Sequence, residues 1–244
     1  MFLVILMLIA SVALADARTE QYAAVLAQRL EQNQRDTLAR IPSPDRRLLA
    51  LRAYLRAGKN LRDRWSWTDA QIRSYEQSVE YQELLADIAA IVKEFGRRNP
   101  GYTLYANTQV RSLDVQIERW NWNPRVGTTA KNLERDAQIA IAKLPPQPTD
   151  ASATRFEAFL KSWSPSPTSP LAAPGLSLHG QSRAIDFQIM KGGKIVAATE
   201  VNGVARQWDA PGWTLKLKEA VTAASKRFKG PLPAPNEPWH YEYK

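Results

Sequence analysis

Residues 186–201 read DFQIMKGGKIVAATEV, two alternating runs around the Gly192-Gly193 pair. A Gly-Gly pair between alternating runs is a strong signal for an antiparallel hairpin. Two further stretches have strand character, YTLYANTQV at 102–110 and WHYEY at 239–243, and WTLKLKEAVTAASKRF at 213–228 has helical spacing. Before Pro100 the grammar is different, because residues 18–95 read as helical. Tyr22, Val25, Leu26 and Leu30 fall on one helical face. Pro42 and Pro44 stop that helix, and a second, carrying Leu48, Leu51 and Leu55, ends near Gly58. A third is expected over 68–95, closed by Gly96 and Pro100. The pattern is that of an α+β chain with an N-terminal helical extension.

Seven of the sixteen prolines fall in 145–174, around the short helical stretch ATRFEAFLKSW. Such a segment serves either as an interdomain linker or as a long ordered surface loop. Arg46, Arg47, Arg52 and Arg56 form a basic stripe on the second N-terminal helix, most simply a solvated face.

The chain begins MFLVILMLIASVALA, an uncharged apolar run ending in a small-x-small triplet. That is the pattern of an export signal cleaved after Ala15 or Ala17, and it is short for a membrane span of about 20 residues. An uncleaved anchor is the alternative. The net charge of +9 over 244 residues calls for an anionic partner. Export argues against nucleic acid and points to the periplasm or cell envelope, where wall polymer and lipid headgroups are the available polyanions. The basic N-terminal helices are the surface that would meet them. The chain has no cysteine, which excludes disulfides, cysteine-ligated zinc and thiol nucleophiles.

Only two histidines are present, and carboxylates accompany both. His179 lies in SLHGQSRAIDF, seven residues before Asp186, and His240 lies in NEPWHYEY with Glu237 and Glu242. Two imidazoles and a carboxylate are a zinc ligand set, and catalytic zinc takes three protein ligands with a fourth place left open. His179, Asp186 and His240 supply three, leaving Glu237 as general base. Pro238 rules out a helical H-E-x-x-H arrangement. In an extended WHYEY, His240 and Glu242 share one face, and Trp239, Tyr241 and Tyr243 the other. Plain hydrogen-bonded histidines satisfy the same spacing.

These segments resemble the signatures of a known family. SLHGQSRAID is similar to the S-x-H-x-x-G-x-A-x-D motif of the zinc D-alanyl-D-alanine carboxypeptidases and dipeptidases, the VanY-type family. EPWH resembles its second motif, E-x-x-H, and QVRSLDVQ at 109–116 resembles its arginine-bearing strand-loop segment. The resemblance covers about residues 100–244 and implies a catalytic domain over 96–244; the signal peptide over 1–15 and the helical region over 18–95, read from the apolar run and from helical spacing, lie outside it. The implied fold is an antiparallel sheet flanked by helices, the D,D-peptidase/hedgehog-like zinc fold. It implies Zn2+ on His179, Asp186 and His240, Glu237 as base, Arg111 as the group that stabilises the oxyanion, and Ser177 and Gln116 near the substrate. Zinc brings the pKa of its water to ~7, and Glu237 takes the proton as that water attacks the scissile carbonyl. Arg111 is otherwise a structural salt-bridge residue. Ser182 stands where the family has glycine, a departure that bears on backbone conformation.

The implied substrates are peptidoglycan stem peptides ending in D-amino acids. Alternatives are an L-alanyl-D-glutamate-type endopeptidase on the same fold and a non-catalytic cell-wall-binding protein. Trp120, Trp122, Trp208 and Trp213 are either pocket walls or packing. No serine has lysine three residues later, so the serine D,D-peptidase motif is absent.

Overall fold

The computed structural model describes residues 16–58, 64–234 and 236–244. Its helices before the first strand are α1 (16–27), α2 (Gln32–Ala39), α3 (Pro44–Ala57), α4 (Asp69–Tyr75) and α5 (Val79–Arg98). Strand β1 (Tyr102–Asn107) is followed by helices α6 (Leu113–Trp122), α7 (Pro124–Ile141) and α8 (Asp150–Ser162). The rest is β2 (Ala184–Lys191), β3 (Lys194–Ala197), α9 (Trp213–Ala224), β4 (Phe228–Lys229) and β5 (His240–Tyr243). The apolar run expected to be an export signal lies outside the described residues. No helix among the described residues is long and apolar enough to cross a membrane.

The chain divides into two units, each made of two separate segments. A helical unit runs to Trp65 and resumes at Leu113–Ser177; a sheet unit comprises Ser66–Ser112 and Leu178–Lys244. This differs from a boundary near residue 96, and α5 is the reason. Its Leu84, Ile88, Ile91 and Phe95 lie at helical spacing on one face and share a core with Ile185, Phe187, Trp213, Leu217 and Trp239. Periodicity identifies an amphipathic helix but not the core that its apolar face will meet. The expected single helix over 68–95 is also two helices, since Ser78 accepts a hydrogen bond from Tyr81 N and starts α5 as a new N-cap.

The sheet is antiparallel with the order β1-β2-β5-β4, and β3 also pairs with β2, which makes the described fold a mixture of helices and antiparallel sheet. β2 is its hub. One edge pairs with β1 from Asp186–Asn107 to Lys191–Tyr102. The other takes β5 at 184–186 and β3 at 189–191, across the Gly192-Gly193 turn. Both turn glycines have positive φ, 55° and 77°, a region open to glycine at little cost. Ile185, Phe187 and Ile189 alternate into the core, and Tyr241 of β5 meets Phe187 edge-on at 5.8 Å.

In the helical unit, Tyr22, Leu26, Leu48, Leu51, Val126, Leu133 and Phe156 form the core. Two residues of the basic stripe bond to backbone carbonyls of their own unit. Arg52 is 6 % exposed, donates from Nε to the Trp163 carbonyl at 3.2 Å and lies over the Trp163 ring. Burial, with the Arg56 charge beside it, lowers its pKa to about 10. Arg46 donates to the carbonyls of Trp120 and Asn123. Helix-facing carbonyls consume these two guanidiniums, so fewer charges on α3 are open to an anionic surface. The proline-rich 145–174 segment is part of this unit rather than a linker: Ala173 is buried in the core, and Tyr54 donates to the Pro174 carbonyl at 2.7 Å.

Candidate metal centre

His179 sits on a single 3-10 turn, Leu178–Gln181, that leads into β2. Two backbone hydrogen bonds pin the turn: Arg111 N donates to His179 O at 3.2 Å, and Trp67 N donates to Gly180 O at 2.9 Å. Asp186 is in register with Asn107 on one neighbouring strand and with His240 on the other. Residues directly opposite in an antiparallel pair project to the same face, so this register alone brings Asp186 and His240 together. Tyr241 and Trp239 point the other way and are buried. Residues 237–240 close a β-turn in which His240 N donates to Glu237 O at 3.0 Å. Pro238 occupies the second turn position, where its fixed φ is an advantage.

His240 Nδ1 is 3.1 Å from Asp186 Oδ1, and His179 Nε2 is 3.5 Å from Asp186 Oδ2. One ligand atom from each of the three lies within 4.8 Å of the other two, and the group can hold a metal ion. Tetrahedral donors about 2.1 Å from zinc stand about 3.4 Å apart, so small rotations of these side chains meet the requirement. Glu237 Oε2 lies 3.8 Å from His240 Nδ1. Arg111 Nη2 lies 3.5 Å from Asp186 Oδ2, on the oxygen that also faces His179.

The electrostatics suit the donor set. Burial lowers the His179 pKa to about 4, against the pull of Asp186 and with the Arg111 and His240 charges acting in the same direction as burial, so the ring is neutral near pH 7 and its nitrogen can donate to a metal. Burial pushes the Asp186 carboxyl up, but the His240 hydrogen bond and the His179 and Arg111 charges together hold it below its ordinary value. Glu237 is moved the other way: burial, assisted by the Asp186 charge, raises it against the opposing pull of His240 and Arg111. Two neighbouring carboxyls are thus driven apart, one kept as an anionic ligand and one made a better proton acceptor.

Ser182 adopts φ 53° and is 4 % exposed, with no hydrogen-bond partner for its buried Oγ. Ser182 therefore occupies a backbone position that favours glycine. Ser182→Gly is expected to raise stability by about 1 kcal/mol, through relief of the left-handed strain and of the unpaired hydroxyl. Thermal melts read this directly; an unchanged or lower Tm would show that the loop carries no such strain.

Gln116 and Ser177 belong to the helical unit, where Gln116 Oε1 accepts from Gly175 N at 3.0 Å. Trp120 is buried in that unit's core, Trp208 and Trp213 are buried in the sheet unit's core, and Trp122 is 81 % exposed, so packing accounts for three of the four tryptophans. The anchoring of His179 through Trp67 has no signal in the local sequence, because a backbone hydrogen bond is blind to side-chain identity. Comparison with family models, curated proteins and solved structures finds no match for this chain.

Proposed function

We propose that the chain is a zinc-dependent D-alanyl-D-alanine carboxypeptidase that trims peptidoglycan stem peptides, on the antiparallel zinc-peptidase fold. The observation that carries this reading is the meeting of His179, Asp186 and His240 with Glu237 one turn away and Arg111 beside Asp186. His179, Asp186 and His240 would hold the zinc, which supplies a Lewis acid for water and for the scissile carbonyl. Glu237 accepts a proton from the attacking water and returns it to the leaving amine, a role favoured by its raised pKa. Arg111 turns its N–H groups to the carbonyl oxygen as charge develops there, and donors of this kind typically contribute about 10²–10³ in rate. Export to the cell envelope follows from the same reading, since that is where the substrate lies.

The test is incubation of the purified chain with a pentapeptide muropeptide, after chelation and again after zinc is restored. Release of D-alanine that depends on zinc is the expected result. Cleavage elsewhere in the stem, read by mass, would move the specificity to an endopeptidase. A chain that takes up no zinc and cuts no stem peptide is not a peptidase.

A further inference from the structure

The sheet face that carries Asp186 and His240 continues well beyond them. Alternation along β2 places Gln188 and Met190 on that face, and register adds Tyr105 opposite Gln188, with Thr103 and Ile195 on either side of Met190. The opposite face is the core, formed by Leu104, Ile185, Phe187 and Ile189. Tyr105 is 49 % exposed and Ile195 is 51 % exposed, although tyrosine and isoleucine are large apolar side chains and β3 is interrupted there by a register shift. A solvated sheet face normally carries polar and charged residues. This strip has none that are charged between Asp186 and Met190, in a chain of net charge +9. Its length is set by the strand: two residues of β2 advance about 7 Å and four about 13 Å.

We propose that Tyr105, Gln188, Met190 and Ile195 form the subsite for the peptide arm of the substrate, which lies extended along β2 away from the metal centre. The inference rests on the peptidase reading above and adds to it the part of the substrate that is recognised. A carboxypeptidase releases one residue, so only the acyl side of the scissile bond is long enough to occupy a strip of this length. Three or four residues of an extended peptide cover about 10–13 Å. The strip offers contacts to the peptide's backbone and to the stems of its side chains: Gln188 Oε1 can accept from a backbone amide while its Nε2 donates to Thr199 Oγ1 at 3.5 Å, and Tyr105, Met190 and Ile195 offer apolar contact.

Equilibrium binding separates this from a bare solvated face. In the Glu237→Gln protein loaded with zinc, a pentapeptide muropeptide and an N-acetylated D-alanyl-D-alanine dipeptide are titrated, with the strip intact and with Tyr105→Ser and Ile195→Asp introduced together. The expected result is at least a tenfold rise in the pentapeptide Kd and less than a twofold rise for the dipeptide, in a protein whose Tm and metal stoichiometry are those of the parent. Equal weakening of both ligands, or of neither, overturns the subsite. If the intact strip binds neither ligand, the peptidase reading fails and the subsite fails with it. If it binds both and only the selectivity is unmoved, the peptidase reading stands and the subsite alone is lost.

Discussion

Glu237→Gln is expected to lower kcat/KM for D-alanine release by about 10²–10⁴ while the protein keeps its zinc. The amide has nearly the size of the carboxylate, and the backbone turn that joins it to His240 does not depend on the side chain. What it loses is the capacity to accept a proton. Glu237 also lies outside the group of three donors that can hold a metal, although its Oε2 comes to 3.8 Å from His240 Nδ1. Metal stoichiometry and rate are therefore separable in this variant. Full activity would remove Glu237 from the chemistry, and loss of zinc together with activity would make it a ligand. A parallel Asp186→Ala protein gives the contrast, since there the metal itself should be lost.

A fragment that begins at residue 96 is expected not to fold, although it contains every residue of the candidate site. It lacks Leu84, Ile88, Ile91 and Phe95, each of which is at most 7 % exposed in the sheet unit's core. Full burial of such a side chain is worth about 1.5–3 kcal/mol, so the four together rival the entire net stability of a domain, about 5–15 kcal/mol. The fragment also strips Arg227 of its partners Glu83 and Asp87, and Ser225 of its hydrogen bond to Asp87. Circular dichroism and a denaturant titration should show no cooperative transition. A fragment that melts cooperatively and binds zinc would mean that α5 is dispensable, against its place in the core.

Strands and several helices were legible in the sequence because side-chain alternation and helical spacing are local properties. The hairpin about Gly192-Gly193, β1, β5 and α9 all rest on such signals. The helices over 113–141 are fainter. The buried face of α7 uses Gly127, Thr129, Ala130 and Ala137 beside Val126, Leu133 and Ile141, and small residues give a weak hydrophobic period. What local reading could not supply was pairing. That Asp186 opposes His240 is a matter of register between distant segments; the ligand chemistry of the residue types and the motif resemblance could group the two, but neither could show the pairing. That Arg46 and Arg52 serve carbonyls is likewise invisible, because an arginine on a helix looks the same whether water or a peptide group receives it.

The two backbone hydrogen bonds at the His179 turn have a use in construction. The chain leaves the sheet unit after Ser112 and re-enters at Leu178, and the Arg111–His179 bond holds those two ends side by side. A loop of about two to five residues, the usual length of a hairpin connection, is enough to join them. The excised segment 113–177 then becomes an insertion that can be removed, exchanged or replaced by a reporter. With the helical unit's other segment, up to Trp65, removed as well, what remains is a shortened scaffold that runs from Ser66 through the new junction to Lys244 and still carries Arg111, His179, Asp186, Glu237 and His240.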